Sequence, residues 1–199
     1  MTIAIVDYGA GNLTSVKKAL DSLGQDSVIT SDPEVVSRAD KLIVPGVGHF
    51  AATSALNCTG LRESIQRAIQ RETPLLGICL GMQWMFDNSS EAPGLAGLGV
   101  FSGECTHFPA EVKAPHVGWN DLALTGESRL LRGIPQNAFV YFTHSYRVPV
   151  VEQAVAICQY GGPFSAAVEQ DRIFGVQFHP EKSGWVGKRL LENFCGLPC

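Results

Sequence analysis

The chain of 199 residues contains no run of about eighteen apolar residues, so no helix is expected to span a membrane. Basic charge is also scarce. Fifteen Lys and Arg stand against nineteen Asp and Glu, a net charge of −4. Without a basic patch, neither nucleic acid nor a membrane surface is an expected partner. Six cysteines stand at 58, 79, 105, 158, 195 and 199, widely and irregularly spaced, with no CxxC pair. That pattern suits neither a disulfide framework nor a metal site, and a chain this long needs no staples. No basic leader precedes the first apolar segment, Met1-Thr2-Ile3-Ala4-Ile5-Val6. A cytoplasmic protein with reduced thiols is therefore expected. Repeats, low-complexity stretches and linkers are missing too, so residues 1–199 are expected to form one domain.

The most informative segment is Pro74-Leu75-Leu76-Gly77-Ile78-Cys79-Leu80-Gly81-Met82-Gln83. An apolar run of strand type ends abruptly and helix-compatible residues follow. Glycines two before and two after Cys79 mark a nucleophile elbow, a strand-to-helix turn too tight for flanking side chains. The elbow holds the central side chain at the carboxyl end of a strand and turns a helix N-terminus toward it, which favours a thiolate. A free thiol of pKa ~8.5 is only about 3% ionised at pH 7, so such a site matters. The alternative is a buried cysteine that packs as a small hydrophobe.

A second element, Phe174-Gly175-Val176-Gln177-Phe178-His179-Pro180-Glu181-Lys182, is a buried strand ending in His-Pro-Glu. In extended chain, residues two apart share a side, so His179 and Glu181 are expected to face one region. A thiol nucleophile needs a base, and the base needs an orienting group; Cys79, His179 and Glu181 have those chemistries. Taken singly, His179 reads as a core or surface histidine and Glu181 as a solvated charge; the elbow gives the pair its meaning. Attack on an amide would also build an oxyanion. One N–H is expected from Leu80, and another from Pro45-Gly46-Val47-Gly48, whose glycines admit close backbone approach.

Alternation of apolar runs and helical periodicities over the first ninety residues implies βαβαβαβ order and a doubly wound, mostly parallel α/β sheet with helices on both faces. Helices are expected at 13–23, from Pro33, at 60–71 and at 184–194. Strands are expected at 2–8, 27–30, 42–44 and 75–78. The second half carries β-type runs at 98–108, 116–124, 139–148, 154–160, 163–169 and 172–178, read as antiparallel additions to the sheet or a side sheet. Ser128–Leu131 reads as a helical turn.

Taken together, the two motifs resemble those of the class I, triad-type glutamine amidotransferases. Within that group the chain is most similar to the glutaminase subunits of imidazole glycerol phosphate synthases. The likeness runs through Asp7-Tyr8-Gly9-Ala10-Gly11-Asn12-Leu13, His116-Val117-Gly118-Trp119-Asn120, Tyr141-Phe142-Thr143-His144-Ser145-Tyr146 and the segment from Gly175 to Gly184. It implies that Cys79 attacks the side-chain amide of L-glutamine, that His179 carries the protons, and that Glu181 holds the imidazole. It also implies an oxyanion hole from the N–H groups of Val47 and Leu80, after the Gly46–Val47 peptide turns inward. Gly46, Gly48, Gln83, His144 and Ser145 would hold glutamine. Tyr141, Lys182, Asn12 and Trp119 would lie at an interface near the ammonia path. The implied partner is a (β/α)8-barrel cyclase on a separate chain, since a barrel needs ~250 further residues. That cyclase would convert a phosphoribulosyl formimino carboxamide nucleotide into imidazole glycerol phosphate and an aminoimidazole carboxamide nucleotide. Neither cofactor nor metal is implied.

Three places depart from the family pattern: His49, Cys105-Thr106-His107-Phe108, and the end Cys195-Gly196-Leu197-Pro198-Cys199. Two rivals remain at this point. One is an amidotransferase subunit serving another ammonia acceptor. The other is a flavodoxin-like or DJ-1-like protein in which Cys79 is a redox sensor or merely packed.

Overall fold

The computed structural model describes residues 2–198; Met1 and Cys199 lie outside the described residues. The first half alternates as expected. Strand β1 (Ile3–Val6) leads to helix α1 (Leu13–Asp21), then β2 (Ser27–Thr30), α2 (Pro33–Arg38) and β3 (Lys41–Gly46). A 3-10 turn (Phe50–Thr53) and helix α3 (Ser54–Cys58) precede α4 (Leu61–Gln70), β4 (Leu75–Cys79) and α5 (Leu80–Trp84). Local chemistry sets these boundaries. Asp32 accepts a hydrogen bond from the Glu34 N–H, and Pro33 occupies the first helical position of α2. Gly24, at φ +67°, ends the turn after α1.

The second half contains β5 (Asn88–Ser89), β6 (Glu104–His107), β7 (His116–Leu124), β8 (Ala138–His144), β9 (Tyr146–Arg147), β10 (Ala154–Gln159), β11 (Pro163–Gln170) and β12 (Ile173–Val176). A second 3-10 turn (Pro180–Lys182) and helix α6 (Gly184–Cys195) complete the chain. Nine strands form one sheet in the order β2-β1-β3-β4-β12-β11-β10-β7-β8, and β5-β6-β9 form a small side sheet. Both forms foreseen for the second half, antiparallel extension and side sheet, therefore occur.

Several expectations need correction. Strand β12 pairs parallel with β4, although β11 beside it is antiparallel. Of 98–108 only Glu104–His107 is strand, because the segment before it is tied by backbone hydrogen bonds to the end of α5, including Val100 N–H to Met85 O at 2.9 Å. Ser128–Leu131 is not helical; Glu169 accepts from the Ser128 hydroxyl at 2.6 Å and Ser128 accepts from the Leu131 N–H at 3.0 Å, which fixes a turn. Strand β3 runs on through Pro45 to Gly46 beside β4, and a 3-10 turn and a short helix occupy 50–58, where no element was expected.

The central sheet is covered on both sides. In β1, Ile3 and Ile5 join a core with Val16, Leu20, Leu190 and Phe194 from α1 and α6. Ala4 and Val6 point the other way, toward Val36, Leu61 and Ile65 of α2 and α4. Strict alternation in a strand buried on both faces is what a parallel sheet between helix layers requires. Among the described residues no helix is long and apolar enough to cross a membrane.

Candidate active site

Cys79 closes β4 and precedes α5, with φ +54° and ψ −107°. A non-glycine residue with positive φ costs energy, and strain of this kind gathers at functional turns. The neighbouring glycines explain how the turn is tolerated. A Cβ on Gly77 would lie 2.7 Å from Met85 Cε and 2.8 Å from the Met82 nitrogen, and one on Gly81 would overlap the Val44 carbonyl oxygen. Both glycines are thus required by close approach rather than by their own φ. Helix α5 spans only five residues, so its end can supply less field than the motif suggests. The sulfur lies 3.6 Å from the Gln177 side-chain amide and 3.9 Å from the Thr143 carbonyl oxygen, which accepts from the thiol.

The parallel pairing of β12 with β4 brings residues nearly a hundred positions apart to one sheet end. Beyond Val176, which pairs with Ile78, the chain bends and carries His179 toward Cys79. The imidazole is buried, and its Nδ1 lies 2.9 Å from Glu181 Oε1. Glu181 reaches it from the 3-10 turn that starts at Pro180, not from extended strand as the spacing suggested. The His179 backbone is pinned to β8: its N–H donates to Tyr141 O at 2.9 Å, and its carbonyl accepts from Ser183 Oγ at 2.6 Å. Burial pulls the His179 pKa down, but hydrogen bonding and charge from Cys79 and Glu181 outweigh it and raise the pKa to about 9. Nε2, the nitrogen left over from the Glu181 contact, is buried without a partner of full hydrogen-bond geometry, yet Cys79 is close enough to act on it. Glu181 Oε2 also has no partner.

The cavity above Cys79 holds about 270 Å³ and is lined by Gly48, Leu80, Gln83, Glu91, Thr143, His144 and Ser145 among others. Gly46, expected among the glutamine-binding residues, is not part of the cavity lining; it pairs in register with Cys79. Its missing side chain leaves room for the Tyr8 hydroxyl and Leu80, and Gly11 packs against it from behind. Gly48 has φ +105°, which an L side chain rarely adopts. His144 faces the cavity but spends both ring nitrogens inward. Nδ1 meets Tyr146 O at 2.8 Å, and Nε2 lies 3.2 Å from His116 Nδ1. Burial lowers the pKa of His144 to about 3 and of His116 to about 4, so both rings stay neutral.

Tyr141 and Trp119 stand opposite each other on β8 and β7, with ring centroids 6.0 Å apart. The Lys182 ammonium lies 5.8 Å from the Tyr141 ring centre. Trp119 is 56% exposed, and Val117 and Phe139 on the same face are equally open. Asn12 sits at the start of α1, away from this pair in sequence, and its carbonyl accepts the first helical N–H groups.

Sequence reasoning missed Glu91 and Gln177. Glu91 projects a carboxylate into the cavity wall while accepting the Phe50 N–H at 2.7 Å. No local motif marks it. Gln177 reaches the sulfur and was legible only as strand alternation with His179. The departures also find places. His49 Nδ1 accepts the Ala51 N–H at 3.0 Å, and the buried Cys105 thiol lies 3.6 Å from the Gln83 carbonyl. The five described cysteines are all free, and no cluster of metal-ligating side chains occurs among the described residues.

The model of class-I glutamine amidotransferases matches residues 4–196, and the chain belongs to that family. A more particular likeness accompanies it. The HisH subunit of imidazole glycerol phosphate synthase from Moorella thermoacetica is 45% identical over 195 residues, spanning 96% of this chain and 93% of its own. The HisH subunit from Methanocaldococcus jannaschii is 41% identical over 196 residues, spanning 98% and 99%. A solved glutamine amidotransferase structure shares the fold, with a TM-score of 0.76 at 20% identity over 96% of both chains.

Proposed function

We propose that residues 1–199 act as one glutaminase domain, the ammonia-producing subunit of imidazole glycerol phosphate synthase in histidine biosynthesis. The carrying observation is the buried His179, whose Nδ1 lies 2.9 Å from Glu181 Oε1 and whose proton both Cys79 and Glu181 favour, just beyond the strand that lies parallel beside the one ending in Cys79. The full-length similarity to HisH subunits supports the acceptor assignment.

The Cys79 thiolate attacks the amide carbon of glutamine. The N–H groups of Val47 and Leu80 receive the negative charge that develops on oxygen, with the Gly46–Val47 peptide turned inward. The His179 imidazolium gives its proton to the amide nitrogen, the C–N bond breaks, and ammonia leaves behind a glutamyl thioester. Water, losing a proton to His179, then attacks the thioester. The C–S bond breaks, glutamate departs and the thiolate returns. Glutamine lies between Gly46, Gly48, Gln83, His144 and Ser145. His144 contributes its ring surface, and Glu91 is suitably charged for the α-ammonium group.

Ammonia passes to a (β/α)8-barrel cyclase, which joins it to the formimino carboxamide nucleotide. Val117, Trp119, Phe139 and Tyr141 form an apolar face beside the site, of the kind a partner chain covers. Tyr141, Lys182, Trp119 and Asn12 are assigned to that interface. The free thiols support a cytoplasmic setting.

The test is Cys79→Ala in complex with the cyclase. Glutamine-dependent product formation is expected to vanish, while formation from added ammonium salt persists. A variant that still releases glutamate from glutamine would overturn the assignment.

A further inference from the structure

The geometry points to Gln177 as a further group acting on the nucleophile: its side-chain N–H stabilises the Cys79 thiolate, and Gln83 holds it in the donating orientation. This deepens the reading of Cys79 as nucleophile and rests on it. Gln177 Nε2 lies 3.6 Å from Cys79 Sγ, within range of a hydrogen bond to sulfur. Gln177 is fully buried, so its amide must find its partners inside the protein.

The orientation follows from what each atom can do. A backbone carbonyl only accepts, so the group of Gln83 lying 2.8 Å from Tyr146 O is its NH2. The same nitrogen stands 3.1 Å from the Gln177 amide. Since that nitrogen only donates, Gln177 must present its oxygen there, which turns its own NH2 toward the sulfur. Flipping Gln177 would set two NH2 groups against each other and a carbonyl oxygen against the thiolate. The Tyr146 carbonyl is itself held, accepting from His144 Nδ1 at 2.8 Å. A chain of fixed donors and acceptors thus runs from β9 through α5 to the nucleophile.

The consequence is specific. A donor at sulfur raises the thiolate fraction before attack. It acts again in deacylation, when the C–S bond breaks and sulfur takes the electron pair. Gln177 does not line the glutamine cavity, so its influence falls on the sulfur rather than on substrate binding.

The experiment uses the full chain with its cyclase. Gln177→Met removes the donor with little change of shape, and Gln177→Glu replaces it with an anion. Alkylation of Cys79 by iodoacetamide is followed from pH 5 to 10 by peptide mass spectrometry. Expected is a rise of about one pH unit in the midpoint for Gln177→Met and a larger rise for Gln177→Glu, with kcat for glutamine falling about tenfold or more and KM changing less than threefold. A midpoint equal to wild type in either folded variant overturns the inference. Should neither variant fold, the wild type decides. The side-chain ¹⁵NH2 resonance of Gln177 should titrate with Cys79 and cease to do so in Cys79→Ala; a resonance that ignores the thiol overturns it. A wild type that fails to hydrolyse glutamine while this resonance tracks the thiol would sink the proposed function and leave the hydrogen bond standing.

Discussion

Replacing Glu181 by glutamine keeps the shape of the site and removes one charge. In the native site the His179 pKa stands near 9, against 6.5 for a free imidazole, because Cys79 and Glu181 overcome the cost of burial. Each tenfold change in proton affinity is about 1.4 kcal/mol, so the two groups together favour the imidazolium by about 3 kcal/mol beyond burial. Without the Glu181 charge one of the two groups that hold the proton on His179 is gone, so the imidazolium is less populated at neutral pH. The amide also frees Nδ1 from a fixed acceptor, and loss of tautomer control in hydrolase triads costs as much as ~10⁴ in kcat. A fall in glutaminase kcat of between ~10² and ~10⁴ is therefore expected, together with a shift of the alkaline limb of kcat/KM from near pH 9 to lower pH. Stability at neutral pH should fall by about 1–3 kcal/mol, because the buried, protonated His179 loses its charged partner. The assays are glutamate release with the cyclase and its nucleotide present, and urea unfolding. Glu181→Gln retaining a third of wild-type turnover, or an unmoved alkaline limb, would refute the reasoning.

Two further outcomes follow from packing and burial. Gly81→Ala should destabilise the chain by more than about 2 kcal/mol in urea and slow alkylation of Cys79, since the new methyl overlaps the Val44 carbonyl; Gly126→Ala, where nothing lies within 4 Å, should do neither. Equal unfolding midpoints for the two would contradict the elbow argument. His116 and His144 are held neutral by burial, with pKa values near 4 and 3, while an unfolded imidazole takes its proton near 6.5. Their contribution to stability is complete above about pH 6.5 and is lost as pH falls toward 4 and then 3. Double replacement by glutamine should flatten the dependence of unfolding free energy on pH between 4 and 6.5, whatever it does to absolute stability; an unchanged slope would exclude them as its source.

Much of the site could be read before any coordinates. The spacing Gly77–Cys79–Gly81 encodes its own turn, because steric exclusion at those positions is a local property of the backbone. Capping at Asp32 and the period of α4 were equally local. Glu181 was legible as an orienting group, although a 3-10 turn rather than extended chain delivers it. Glu91 was not legible, because its place in the cavity depends on a loop tied to Phe50 forty-one residues earlier. Gln177 showed only a parity with His179. Its role depends on Gln83, ninety-four residues away, and on a carbonyl of β9.

By itself the sequence determined the elbow, the His-Pro-Glu segment, the parallel first half and the family to which the chain belongs, all of which rest on short-range sterics or contiguous motifs. Tertiary structure alone decided that β12 lies parallel beside β4, and with it the meeting of sulfur, imidazole and amide. Strand pairing across a hundred residues is settled by the burial of whole faces, which no local stretch of chain encodes.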